Sequence, residues 1–230
     1  IYAETPFPAK NRILLMGRDV STKYTLRGAV MYERIARYNI TAAKVRKGNY
    51  MAFFPSYKVM EEVYNYFLSD AGAIDSVIQS QSMGEAEREE FLGMFEKDRE
   101  NSLVGFCVMG GIFSEGIDLT EDRLIGAVIV GTGLPQVCND REIVKQYFDK
   151  MGMRGFDYAY LYPGMNKVLQ SAGRVIRTET DRGLILLLDD RFSQRQYREM
   201  FPREWEGCRI CSADTLTALA EEFWSGSPPG

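Results

Sequence analysis

The 230-residue sequence contains no histidine. That removes the usual general base of serine and cysteine hydrolases together with the commonest metal ligand, so self-contained catalysis of those kinds is disfavoured. Cysteine is scarce as well: Cys107, Cys138, Cys208 and Cys211, of which the last two have a ligand-like C-x-x-C spacing. One such pair without a second pair or a histidine is a weak metal signal, and burial of the thiols as small apolar side chains accounts for them better. No metal site is expected in this chain. Nor does any apolar run approach the roughly 18 residues that span a bilayer. The start, Ile1-Tyr2-Ala3-Glu4-Thr5-Pro6, has neither a basic flank nor a signal-peptide core, so no membrane partner and a cytoplasmic location are expected. An excess of basic charge is also missing, since 28 Lys and Arg face 32 Asp and Glu for a net charge of -4. Any nucleic-acid contact therefore has to come from a local strip of polar and basic groups, and a DNA-wrapping module is disfavoured.

What is present is a chain 45% hydrophobic, long enough to bury one sizeable core. Strand and helix signals alternate along it. Arg12 to Met16 reads as a short strand, and Tyr24 to about Val45 as an amphipathic helix with Leu26, Val30, Ile35 and Tyr38 inward. Tyr50 to Phe54 is a buried strand closed by Pro55, followed by a helix from about Tyr57 to Leu68. Ser76 to Gln79 suggests a strand, Glu85 to Lys97 a charged helix and Leu103 to Met109 another apolar strand. Leu124 to Val130 and Leu184 to Leu188 are continuous apolar runs of the kind covered on both faces, separated by helical segments around Arg141 to Lys150 and Met165 to Arg177. The alternation predicts an α/β fold with a mostly parallel, doubly wound sheet and functional loops at the carboxyl ends of its strands. Residues 1–225 are read as one domain and 226–230 as a flexible tail.

Three segments carry chemistry. In Gln170-Ser171-Ala172-Gly173-Arg174-Val175-Ile176-Arg177, positions 170, 173, 174 and 177 follow i, i+3, i+4, i+7, so one helix continued through Arg177 would show Gln170, Gly173, Arg174 and Arg177 on a single face. Two guanidinium groups around a glycine suit a phosphate, although a surface helix with solvated arginines explains the same residues. In Phe53-Phe54-Pro55-Ser56-Tyr57, Ser56 is placed to cap the following helix and to meet an anion, with an aromatic ring beside it for a base. A plain strand-to-helix turn accounts for Ser56 equally well. Gly110-Gly111-Ile112-Phe113-Ser114-Glu115-Gly116-Ile117-Asp118 has three glycines interleaved with a hydroxyl and two carboxylates, more than a turn requires. Asp189-Asp190 is the one pair of adjacent aspartates and reads as a strand-end cap.

These three segments, with the closing Leu187-Leu188-Asp189-Asp190-Arg191-Phe192, resemble motifs IV, V and VI of superfamily-two helicases of the DinG/XPD type, in the family's order. The resemblance implies a RecA-like fold of the P-loop NTPase helicase class, and it covers nearly the whole chain. Such helicases have two RecA-like domains, with ATP and Mg²⁺ in the cleft between them and single-stranded DNA crossing both. This chain resembles the second alone, for it has no G-x-x-x-x-G-K-[ST] loop and no D-E-x-H type acidic motif. Its implied partners are single-stranded DNA and an N-terminal RecA-like domain. Any iron–sulfur cluster of the family belongs to that other half, and Cys208 and Cys211 are not its remnant.

Carried onto this sequence, the resemblance makes Arg174 and Arg177 the groups that reach the γ-phosphate, with Gln170 setting the cleft geometry. Glu115, Gly116, Asp118 and Gly173 would lie on the nucleotide side, and Ser56, Tyr57 and Ser114 on the DNA backbone. The activity implied is ATP-dependent translocation and duplex unwinding by the full protein, the fragment alone being inactive. The competing expectation is a non-catalytic nucleic-acid-binding or nuclease-associated module on a degenerate helicase fold.

Overall fold

A computed structural model describes residues 7–113, 119 and 123–226. Among the described residues seven strands form one sheet in the order β3-β4-β2-β5-β6-β1-β7, and every pairing in it is parallel. They are β1 (Arg12–Gly17), β2 (Asn49–Phe54), β3 (Asp75–Ile78), β4 (Leu103–Val108), β5 (Gly126–Val130), β6 (Gly183–Leu188) and β7 (Arg209–Cys211). The helices are α1 (Ala29–Val45), α2 (Tyr57–Asp70), α3 (Glu85–Gly93), α4 (Asn139–Lys150), α5 (Tyr162–Ala172), the single turn α6 (Arg195–Arg198) and α7 (Ala213–Ser225). The expected α/β, doubly wound architecture is present.

The strand sequences explain it. All six residues of β2 and of β6 are buried, which a strand achieves when both of its faces are covered. Alternate residues then feed two cores. Tyr50, Ala52 and Phe54 of β2 pack with Ile35, Tyr38, Val63, Phe67 and Leu216 beneath α1, α2 and α7. Met51 and Phe53 pack on the other face with Phe91, Met165, Val168, Ala172, Phe192 and Trp205. Each fully buried Leu or Phe contributes about 1.5–3 kcal/mol relative to exposure, so neither layer can be peeled away cheaply.

Several boundaries differ from the sequence reading. The first helix begins at Ala29 rather than Tyr24, after a 3-10 turn at Tyr24–Leu26. Leu26 and Val30, expected inward, are 51% and 69% exposed: Leu26 precedes the helix, and Val30 stands in its first turn, ahead of the buried residues that begin at Ile35. The charged helix stops at Gly93 rather than Lys97, and Phe95 leaves it to enter the core. Cys107 and Cys211 are buried, Cys208 is half-buried, and Cys138 is exposed. Burial raises the Cys107 thiol well above its usual range. The Cys211 thiol is pushed up to about 12, by burial first and then by Asp19 and Cys208. Protonated, desolvated thiols are apolar filling rather than thiolate ligands.

Candidate functional site

The segments singled out above lie at opposite edges of the sheet, not all at its carboxyl edge. At the carboxyl edge, β2 ends in Phe54 and the chain turns through Ser56, whose Oγ accepts the Val59 N–H at 3.4 Å as the N-cap of α2. Tyr57, half-buried, opens that helix. Its hydroxyl accepts from Gln79 Nε2 at 2.9 Å, and Gln79 Oε1 accepts the backbone N–H of Val108 at 2.9 Å. Burial, with a smaller contribution from Cys107, raises the Tyr57 phenol above its usual value and keeps it neutral.

One strand over, Gly110 has φ +70, and a Cβ there would press on the Cδ and Cε atoms of Lys167. The left-handed backbone and the lysine stem above it both call for glycine. Lys167 comes from α5, so Ser56, Tyr57, Gln79, Gly110 and Lys167 bring four elements to one edge. Ser114, Glu115, Gly116 and Asp118 lie outside the described residues. Phe113, the last described residue before them, is buried and stacks on Phe91 at 4.2 Å.

The arginine segment is built differently from the expected single helical face. α5 ends at Ala172, and Gly173 is its C-cap with φ -68 and ψ 0, donating to Leu169 O at 2.9 Å. Gln170 is exposed on the last helical turn, whereas Arg174 and Arg177 stand in the loop beyond. The reason is packing. Val175 and Ile176 are 1% and 7% exposed, both packed into the core from the loop that follows the helix. They fill space left by Gly183 at the start of β6, where a Cβ would collide with Val175.

Arg174 and Arg177 flank that buried pair and are themselves half-buried, with both Nε atoms shielded from solvent. Asp181, 6% exposed, closes the loop. Its carboxylate accepts the Arg177 N–H at 2.7 Å, the Thr178 N–H at 2.8 Å and the Thr178 hydroxyl at 2.6 Å. Asn11, just before β1, donates to Glu179 O at 2.7 Å. The arginine loop is thereby tied to the amino edge of β1 and β6. A cavity of about 420 Å³ opens beside it, lined by Gly173 and Arg177 with Phe7, Arg12, Ile176 and Trp205 among others.

The profile of the helicase C-terminal domain matches residues 40–208, which takes in both edges. The chain belongs to the helicase C-terminal domain family. A probable ATP-dependent helicase of Methanocaldococcus jannaschii is 25% identical over 96% of this chain and 36% of its own length. The ATP-dependent DNA helicase XPD of Sulfolobus acidocaldarius is 28% identical over 80% of this chain and 32% of its own. The chain therefore spans about a third of the length of these curated relatives. A solved structure of XPD without ligand superposes with a TM-score of 0.71 at 23% identity, over 87% of this chain and 40% of that one. This helicase C-terminal domain is RecA-like, of the XPD/DinG type.

Within the domain, sequence reasoning missed Gln79, Lys167 and Asp181. Each is a polar residue directly after a strand, on a helix flank or before a strand, and its role appears only through partners brought together by folding. Asp189, by contrast, is a structural cap as expected. Fully buried, it accepts from the N–H and hydroxyl of Thr22 at 2.9 and 2.7 Å and from Arg191 Nε at 2.7 Å. Burial alone would lower the Arg191 pKa, but Asp189 outweighs it and the net shift is upward. With its oxygens committed this way, Asp189 is not part of a nuclease carboxylate set.

Proposed function

We propose that this helicase C-terminal domain is the second motor lobe of an ATP-dependent DNA helicase, completing an ATP site held by an N-terminal RecA-like domain and carrying single-stranded DNA on its carboxyl edge. The observation that carries the reading is the two-edge arrangement joined by one rigid element. α5 carries Lys167 at its middle, the lysine stem lying beside Gly110 of the carboxyl edge, and delivers Arg174 and Arg177 just past its last residue, the helix spanning about 16 Å for its 11 residues. A helix that touches both edges transmits displacement between them.

Chemically, the amino-edge loop supplies what phosphoryl transfer needs from a second lobe. Negative charge builds on the phosphoryl oxygens, and a planar, permanently charged guanidinium placed before the reaction stabilises it without reorganisation. Arg174 and Arg177 fill that role, Gln170 sets the width of the cleft, and Gly173 lets a neighbouring lobe approach. ATP arrives as substrate with Mg²⁺, held mainly by the N-terminal domain; Glu115, Gly116 and Asp118 link the nucleotide to the DNA track. Ser56, Tyr57 and Ser114 meet the DNA backbone with neutral donors. Neutral donors suit an acidic chain that must slide along phosphate without sticking. Relatives named as ATP-dependent DNA helicases support the reading.

DNA-stimulated ATP hydrolysis by the full-length protein tests it, measured beside the isolated chain. Turnover that rises with single-stranded DNA in the former and is absent from the latter is expected. No turnover in the full-length protein would leave a nucleic-acid-binding module instead.

A further inference from the structure

Gln79 leaves β3 at the carboxyl edge and is 4% exposed. A buried amide has to find partners or cost about 1–3 kcal/mol. Its partners fix its orientation. The backbone N–H of Val108 is a donor and nothing else, so the oxygen of the amide must face it, as it does at 2.9 Å. The NH₂ group is thereby turned toward Tyr57, whose oxygen accepts at 2.9 Å. Gly111 seals the arrangement, because a Cβ there would stand 3.3 Å from Nε2.

The backbone of Gln79 is itself held, its N–H donating to Phe106 O at 2.9 Å. Since β4 lies between β3 and β2, the Gln79 and Tyr57 side chains meet over the end of the intervening strand and together bridge about 10 Å of sheet. A half-exposed phenol is satisfied by water without such a bridge. What the bridge adds is direction: with its oxygen already accepting, Tyr57 has its own proton left to donate outward, and an accepted hydrogen bond makes that proton a better donor.

We propose that Gln79 is a positioning residue for single-stranded DNA, aiming the Tyr57 O–H at a phosphate oxygen and locking it to the end of β4. The inference rests on the reading of the carboxyl edge as the DNA track. Replacing Gln79 by Glu separates aim from structure. A carboxylate accepts from both Val108 N–H and Tyr57 O–H, which keeps both contacts but draws the phenol proton inward.

The experiment is titration of a fluorescent oligothymidine with full-length protein at fixed salt, with melting temperature recorded for each variant. Tyr57→Phe and Gln79→Glu are each expected to weaken binding about tenfold, as loss of a hydrogen bond to a charged acceptor does, with a melting temperature near wild type for Gln79→Glu and a slightly lowered one for Tyr57→Phe, which takes the acceptor from the Gln79 NH₂. In the double variant Tyr57→Phe/Gln79→Glu the loss should equal that of either single change. Multiplying losses would mean that the new carboxylate merely repels phosphate, and the proposal falls. Wild-type binding by Tyr57→Phe beside weakened binding by Tyr57→Ala would also overturn it, leaving Tyr57 as a ring contact on DNA. Wild-type binding by Tyr57→Ala would remove the DNA reading of that residue and the proposal with it. Should Gln79→Glu not fold, Gln79→Met is titrated in its place with and without Tyr57→Phe: weakening only where Tyr57 is present is expected, and equal weakening in both backgrounds overturns the proposal.

Discussion

Asp181 accepts the backbone N–H of Arg177 at 2.7 Å and so fixes where that arginine leaves the fold. The carboxylate does not touch the guanidinium in this contact. It shapes the loop that carries it, which places Arg177 at the amino edge of β6 whatever the side chain itself is doing.

Two substitutions separate the arginine's chemistry from its placement. Arg177→Ala in the full-length protein should lower kcat for DNA-stimulated ATP hydrolysis by about 10³- to 10⁵-fold, the contribution of an arginine finger, with melting temperature preserved; Arg174→Ala should behave similarly. Asp181→Ala should lower kcat by about 10²-fold through misplacement, with little change in KM, and cost about 1–3 kcal/mol of stability for the exposed loop donors. Steady-state kinetics beside urea titration read both effects. Near-normal kcat in Arg177→Ala would remove its role.

At the other edge, Ser56→Ala combined with Tyr57→Ala should weaken single-strand binding several-fold while costing about 1 kcal/mol of stability, the usual value of one N-cap. The long 3.4 Å cap bond puts the stability cost at the lower end. Fluorescence anisotropy with a labelled oligonucleotide measures the first quantity and thermal melting the second. An unchanged anisotropy curve would take these residues off the DNA path.

Asp189 tests a structural claim. Its side chain is fully buried and that of Arg191 is 16% exposed, so Asp189→Ala strands a desolvated cation and two donors of Thr22. Loss of about 3–5 kcal/mol is expected, as for other broken buried pairs, out of the 5–15 kcal/mol typical of a whole domain. A urea midpoint within about 1 kcal/mol of wild type would contradict the assignment.

Alkaline pH should loosen the domain. Cys107 and Cys211 have raised folded-state pKa values, Cys211 at about 12, whereas an unfolded thiol titrates near 8.5. Above about pH 8.5 the unfolded chain sheds protons that the folded chain retains, so it gains stability relative to the native state. The thiols' contribution is thus complete below about pH 8.5 and is lost as pH climbs toward 12. Urea midpoints measured from about pH 7 to about pH 10.5 should fall, and Cys107→Ala with Cys211→Ala should flatten the decline. A flat wild-type profile would be inconsistent with the burial of these thiols.

The sheet was legible from sequence because its central strands announce themselves: runs such as Leu184-Ile185-Leu186-Leu187-Leu188 are continuous, and continuity of that kind means cover on both faces. The three-residue β7, Arg209–Cys211, with two exposed positions, carries no such pattern and went unread. The arginine segment was legible in composition and not in shape. Its spacing is that of a helix through Arg177, and local periodicity has no means of registering that Gly183 opens a space for Val175, or that Asp181 captures the backbone at Arg177.

Sequence by itself therefore determined the fold class, the family resemblance and which residue types could meet phosphate, because these depend on patterns within single segments. Tertiary structure alone decided that the arginine loop and the Ser56–Tyr57 turn stand on opposite edges, and that Gln79 and Asp181 hold them. Those roles arise from hydrogen bonds between elements that only the folded sheet brings within about 3 Å of each other, where a buried polar group must be paired and its partner fixes its direction.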